Sequence, residues 1–392
     1  MASGSEAGEI FVVNSHWSVS AAFACYLASG IGAAAAATYN VTALEDTGGQ
    51  SYSVAQGINN SGQIAGWSNT NADGSSFAAV VWNASGGPGK VLTDVGGQGG
   101  SAALAINNSG QVAGFTHNSS PGLSVVVWGA TTGAGHALND VGRLNYSDAY
   151  GINKYGQIAG ITATTSGAAA VVWSASSGNG SVLADEGGQG FSQANAINDV
   201  GQIVGGSANA SVGGDAVLWN TAGDPGVALS DVGGQHDSFA IAINNSGQIV
   251  GYSGTAGGAD AVLWNASGGA GIVLQDVGGQ GTSIPLGINN AGQIVGWTLN
   301  ASGGSDAVIW SATTGLGEDL ASSFGTDATK SITPWGINDS GVIVGQIQSA
   351  DGATSTAFVA SPSPEPGTWS LMILGVGGIG VSLRTRRRII LV

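Results

Sequence analysis

One short phrase recurs seven times between residues 38 and 360, and it limits the fold more than any other feature of the chain. "GINNSGQIAG" at Gly57 returns as "AINNSGQVAG", "GINKYGQIAG", "AINDVGQIVG", "AINNSGQIVG", "GINNAGQIVG" and "GINDSGVIVG". The isoleucines Ile58, Ile106, Ile152, Ile197, Ile243, Ile288 and Ile337 are 45 to 49 residues apart. A period of this size means one supersecondary unit that buries its faces against copies of itself. Two further markers keep step. One ends in tryptophan, "AAVVW", "SVVVW", "DAVLW", at Trp82, Trp128, Trp173, Trp219, Trp264 and Trp310, with "TAFVA" around Phe358 as the seventh. The other is L-x-D-x-G, as in "LEDTG" and "LTDVG".

Each unit reads as four strands. "SAALAIN" is the first; Asn and Gly then build a tight hairpin turn, the glycine supplying positive φ. "QIVGxS" is the second, β-branched and aromatic "DAVLW" the third, and "V-L-x-D-V" the fourth. Four strands in about 45 residues is one propeller blade. The seventh unit lacks a fourth strand, whereas "TYNVTAL" at residues 38–44 is a fourth strand with no others before it. Pairing Tyr39–Leu44 onto the last blade would close the ring. The expectation is an all-β, seven-bladed β-propeller of four-stranded blades over residues 38–360, closed by an N-terminal strand.

The ends differ from this body. Residues 1–37 carry a short apolar core that runs into alanines, with an A-x-A site at Ala35-Ala36-Ala37, the pattern of a secretory signal peptide. Its leading segment holds Glu6 and Glu9 but no Lys or Arg, which fits a start downstream of Met1. The one cysteine, Cys25, lies in this segment, so the body has no disulfide or thiolate site. At the other end, Pro364-Glu365-Pro366 precedes an uncharged run, Trp369 to Leu383, and then Arg384, Arg386, Arg387 and Arg388. The run reads as a short single transmembrane helix, and the arginines would hold its end in the cytoplasm.

This three-part order, in a tail of residues 361–392, resembles the bacterial PEP-CTERM sorting signal from Ser361 to about Arg388, with an extra "IILV" after the arginines. The resemblance implies recognition at or near Pro364, Glu365 and Pro366 by an exosortase, a membrane protease-transpeptidase, with the arginines as the membrane stop. It implies an exported protein, anchored in the inner membrane as a precursor and then passed to the cell surface or extracellular matrix. The repeats themselves resemble the HAF family of bacterial extracellular repeats.

The chain carries 24 acidic and 8 basic residues, and four of the basic ones are the terminal arginines. Such an acidic body opposes nucleic acid as a partner. The recurring carboxylates Asp46, Asp94, Asp140, Asp185, Asp231 and Asp276 occur once per unit, which suits capping of the turn between blades rather than a catalytic or metal set. The recurring asparagines (Asn59, Asn107, Asn153 and their equivalents) read as turn-formers, and the tryptophans as wedges between blades. His117, His136 and His236 show no metal-ligand spacing. No catalytic residue, metal or cofactor is assigned.

A ligand site on a ring should break its symmetry. The third unit does so most: the usual G-G-Q becomes Gly142-Arg143-Leu144, and Arg143, Tyr146, Asp148 and Tyr150 bring charge and aromatic faces together within a few residues. His236-Asp237 and Trp335 are further singular features. These residues suit an exopolysaccharide or other glycan. The expected function is a non-enzymatic structural, adhesion or glycan-binding module. An extracellular polysaccharide lyase or hydrolase is the alternative, to be distinguished by two non-repeating carboxyl groups close together at one channel mouth.

Overall fold

Each repeat forms an antiparallel four-stranded sheet, and seven such sheets surround a central channel. The structure is a computed structural model; it describes residues 38–363 apart from 72, 120–121, 212, 221–222, 224 and 326–329. The signal-peptide and sorting-tail readings, including the expected C-terminal helix, lie outside the described residues. Among the described residues, no helix is long and apolar enough to cross a membrane.

The first blade shows the pattern, with strands Ser53–Ile58, Gln63–Asn69, Phe77–Asn83 and Lys90–Val91 in spatial order. The innermost strand runs toward one mouth of the channel and ends at Asn59, where the turn reverses the chain and Gly62 takes φ 77°. The outer strand is shorter than its sequence suggested, two or three residues in blades one to six. Leu92 lies beyond it: its amide still donates to Ala79, but its side chain is buried in the seam against the second blade.

Closure occurs as expected. Tyr39–Ala43 pairs with Ser355–Pro362 in register from Tyr39↔Pro362 to Ala43↔Phe358, as the outer strand of the last blade. At five residues it is the longest outer strand of the seven blades.

Between blades the packing is apolar and repetitive. Trp82, Trp128, Trp173, Trp219 and Trp310 are fully buried, each worth roughly 3 kcal/mol of transfer free energy. Each indole N–H also finds an acceptor in the preceding interblade linker, as in Trp82 to Glu45 O at 2.8 Å and Trp128 to Thr93 O at 2.8 Å. A second tie comes from the serine that starts five of the inner strands: Ser101 Oγ accepts from Ala79 N, Ser192 Oγ from Ala170 N, and Ser53 Oγ from Ala357 N, all at 3.0 Å, with Ser238 and Ser283 doing the same. In the seventh blade, Ala360 stands in the tryptophan register, facing Ile343 as Trp82 faces Ile64. Phe358 brings its ring over Gly345, where the Trp82 ring lies over Gly66 in the first blade. A short helix absent from the repeat, Ala321–Phe324, adds Phe324 edge-on to Phe358 at 4.8 Å.

The linker carboxylates cap their turns. Asp94 accepts from the amides of Gly96, Gly97 and Gly99 and from Thr116 Oγ1 at 2.7–3.1 Å. Burial alone would raise the pKa values of Asp46, Asp94, Asp231 and Asp276. Hydrogen bonds from the hydroxyl and the loop amides outweigh it and hold them below the usual carboxylate range.

Candidate functional site: the two mouths of the channel

The channel has two unlike mouths, because each inner strand presents different residues at its two ends. At the narrow mouth stand the seven repeated asparagines. Asn59 Oδ1 accepts from the amides of Ser61 and Gln63 and so shapes its own turn, as the sequence suggested. Its Nδ2 does more, donating to Asn107 O of the next blade at 3.0 Å. The same bond continues from Asn107 to Asn153, Asn198, Asn244, Asn289 and Asn338, and Asn338 returns to Asn59 at 3.2 Å. Six of these Nδ2 groups also donate to the glutamine side chain of their own turn, as Asn59 does to Gln63, and the circuit of amides links all seven blades. Spacing alone could not reveal it, since an asparagine that forms a turn and one that bridges blades look alike in sequence.

A second circuit lies outside the first. The amides of Asn60, Lys154, Asp199, Asn245, Asn290 and Asp339 each donate to the side-chain oxygen of the equivalent residue in the next blade. The break falls at Asn108, whose neighbour is Lys154. An ammonium offers no acceptor; Lys154 Nζ instead lies 3.9 Å from Asp199 Oδ2 and over the Tyr155 ring.

The wide mouth is built by β-bulges. In every blade the pairing of the first and second strands slips by one residue, for example between Ala55 and Gly57. The second-strand glycine at the slip, such as Gly66, has no room for a side chain: a Cβ there would meet Val54 O at 2.0 Å. The extra residue of each bulge aims into the channel. These seven are Gln56, Leu104, Tyr150, Asn195, Ile241, Leu286 and Trp335, and with Phe239 and Tyr252 they line a cavity of about 540 Å³. Thus a fold of near-perfect symmetry carries one ring of seven mostly different side chains. In sequence they share one position of S-x-x-x-x-I, where variation in a fixed frame was the available signal.

Polar groups in this cavity are set by their neighbours. Asn195 is fixed, receiving Gln193 Nε2 and donating to Ala240 O, both at 2.7 Å. Trp335 Nε1 is buried without a hydrogen-bond partner among the described residues. Behind Tyr150, Asp148 is buried, and burial pushes its pKa up to about 7 despite bonds from the Ala149 amide and the Tyr150 hydroxyl. Burial and the nearby Asp148 and Tyr146 push the Tyr150 phenol well above its ordinary value.

The four residues singled out in the third unit fall in two places. Tyr150 lines the wide mouth, with Asp148 buried behind it. Arg143 and Tyr146 are exposed on the interblade linker at the rim. Arg143 and Asn145 hold φ 60° and 57° at positions where the second unit has Gly97 and Gly99; such left-handed backbone costs a non-glycine residue about 1 kcal/mol. Trp335 joins Tyr150 at the wide mouth, while His236 and Asp237 are exposed on their own linker. Among the described residues, no three His, Cys, Asp or Glu side chains converge as metal ligands.

The family model of the PEP-CTERM protein-sorting motif matches residues 364–388, which makes this an exported, exosortase-sorted protein. No curated protein matches the chain. Among solved structures, it is similar to a puromycin-hydrolyzing peptidase of Mycobacterium tuberculosis, at 11% identity and TM-score 0.51, over 82% of this chain and 54% of that one. It is likewise similar to a puromycin hydrolase S511A mutant complexed with PGG, at 11% identity and TM-score 0.52, over 78% and 51%. TolB from Acinetobacter baumannii matches at 13% identity and TM-score 0.43, over 78% and 80%. The chain spans about half the length of the two hydrolases, and at these identities the likeness to them is one of fold alone.

Proposed function

We propose that this propeller is a glycan-binding module of the cell surface or extracellular matrix, delivered there by its sorting tail, with the wide mouth as its binding site. The observation that carries the reading is the ring of bulged residues. It spends no side chain on the fold's symmetry and instead places Tyr150 and Trp335 beside the amides of Gln56 and Asn195. Aromatic faces take the apolar faces of a sugar ring, and amides and the unpartnered indole N–H take its hydroxyls. A hydrolase would need paired carboxyl groups; the residues lining this cavity are amide, aliphatic and aromatic. In this reading the repeats are of the extracellular HAF type. Exosortase acts at or near Pro364, Glu365 and Pro366, and the precursor waits in the inner membrane, held by Arg384, Arg386, Arg387 and Arg388.

The test is retention of the mature protein on the extracellular polysaccharide of the organism that makes it. The double variant Tyr150→Ala, Trp335→Ala should be retained at least about tenfold more weakly, while a melting curve confirms that the ring still forms. Equal retention of wild type and variant would remove the wide mouth from the account.

A further inference from the structure

Five ring side chains that the repeat does not require run together along the wide-mouth rim of the first two blades. Tyr52 stacks on Trp67 with ring centroids 5.5 Å apart, and Phe77 meets Trp67 edge-on at 5.6 Å. His117 lies 5.4 Å from Phe77 and stacks on Phe115 at 6.2 Å. All five are half-buried, so each keeps part of its surface in solvent. The symmetry positions show that the fold does not demand them. Where Phe77 stands in the first blade, blades three to five hold Ala168, Gly214 and Ala259. Where His117 stands, they hold Ala163, Ala208 and Gly254.

The run opens into a cavity of about 450 Å³ between His117 and Tyr146, with Gln98, Asn118 and Leu123 in its wall. Asn118 Oδ1 is buried there and has no hydrogen-bond partner among the described residues. In the corresponding loops of the fourth and sixth blades, Asn209 Oδ1 and Asn300 Oδ1 each accept two loop amides. A buried acceptor left unmet is unfavourable, and a donor from a ligand would satisfy it.

We infer that this rim is a second carbohydrate surface, which takes an uncharged polysaccharide strand along blades one to three with a sugar hydroxyl donating to Asn118 Oδ1. The rings offer a succession of apolar contacts longer than one sugar, and amide and imidazole groups flank them. The excess of carboxylates over cations in the body repels a polyanion, so the strand is neutral. The inference rests on the glycan reading above and extends it: the wide mouth holds a short segment, and the rim gives the protein its preference for polymer.

The experiment compares wild type with Tyr146→Ala and Trp67→Ala, using the producing organism's extracellular polysaccharide separated into neutral and acidic fractions, each intact and hydrolysed to short oligosaccharides. Tyr146 is 45% exposed, so its replacement leaves the melting temperature in place even if Trp67→Ala lowers it. The expected result is polymer binding at least about tenfold weaker in both variants, with oligosaccharide binding unchanged. If both variants hold neutral polymer as tightly as wild type, or wild type holds only the acidic fraction, the rim proposal is overturned while the wide-mouth site stands. If wild type binds neither polymer nor oligosaccharide, the glycan reading fails and the rim proposal with it.

Discussion

Asp148 is the residue where the third blade departs most from a purely structural role. Its carboxyl titrates near 3.8 in an unfolded chain and at about 7 in the folded one, because burial penalises the anion. The folded state therefore binds the extra proton between these values, so this group lowers stability as pH rises from about 4 to about 7, and the loss is complete above that window. That difference in pKa corresponds to a cost of up to roughly 4 kcal/mol. Asp148→Asn should thus melt higher than wild type at pH 8, with the advantage shrinking toward pH 4. A constant difference across that range would contradict the assignment. The asparagine circuit makes a second prediction at this scale. Asn198→Ala removes the bond to Asn244 O and uncaps the amides of Val200 and Gln202, and should cost roughly 2–3 kcal/mol in chemical denaturation. The turn-forming half of this role was legible in the repeated I-N-x-x-G. The bridging half was not, because it depends on the next blade's carbonyl arriving within hydrogen-bond distance of Nδ2, and nothing in a local pattern encodes that.

Strands were legible wherever the repeat was regular, and least so where the frame changed. The inner three strands of each blade match the I-N, QIVG and DAVLW markers, since each marker puts β-branched residues where two neighbouring blades bury them. The outer strand was read too long because V-L-x-D-V is apolar at both Val and Leu; in the fold the Leu belongs to the seam between blades and the Asp to the following turn. The helix Ala321–Phe324 falls in the longest interval of the series, the 49 residues before Ile337, and only that insertion hinted at it. The seven bulges leave no composition signal, as any side chain can aim into a channel. The closing strand tests the element level. Deleting residues 39–43 exposes the Ser355–Pro362 edge and removes the buried Tyr39 ring from the last blade, leaving an unpaired strand edge. The melting temperature should fall by at least about 5 °C. An unchanged value would mean that the ring holds without its clasp.

The whole molecule joins this ring to an address. Ser363 N donates to Thr38 O at 2.8 Å, so the described chain enters and leaves the propeller at one place. Pro362 reaches the Asn338–Gly341 turn of the narrow mouth, so the last described residues lie at the end of the channel opposite the proposed glycan site. The tail was the most legible part of the chain, since its three components act in order along the sequence and need no tertiary partner. In the proposed reading, the two prolines around Glu365 would disfavour a helix and leave that stretch open to a protease, the apolar run would place it at the bilayer face, and the arginines would stop translocation. Delivery should then depend on the tripeptide more than on the exact apolar residues. The direct measurement is the size and location of the chain in a host that has an exosortase, for wild type and for Pro364→Ala, Glu365→Ala, Pro366→Ala combined. A larger, membrane-retained triple variant beside a trimmed wild type is the predicted result, and a triple variant trimmed and released like wild type would contradict the account.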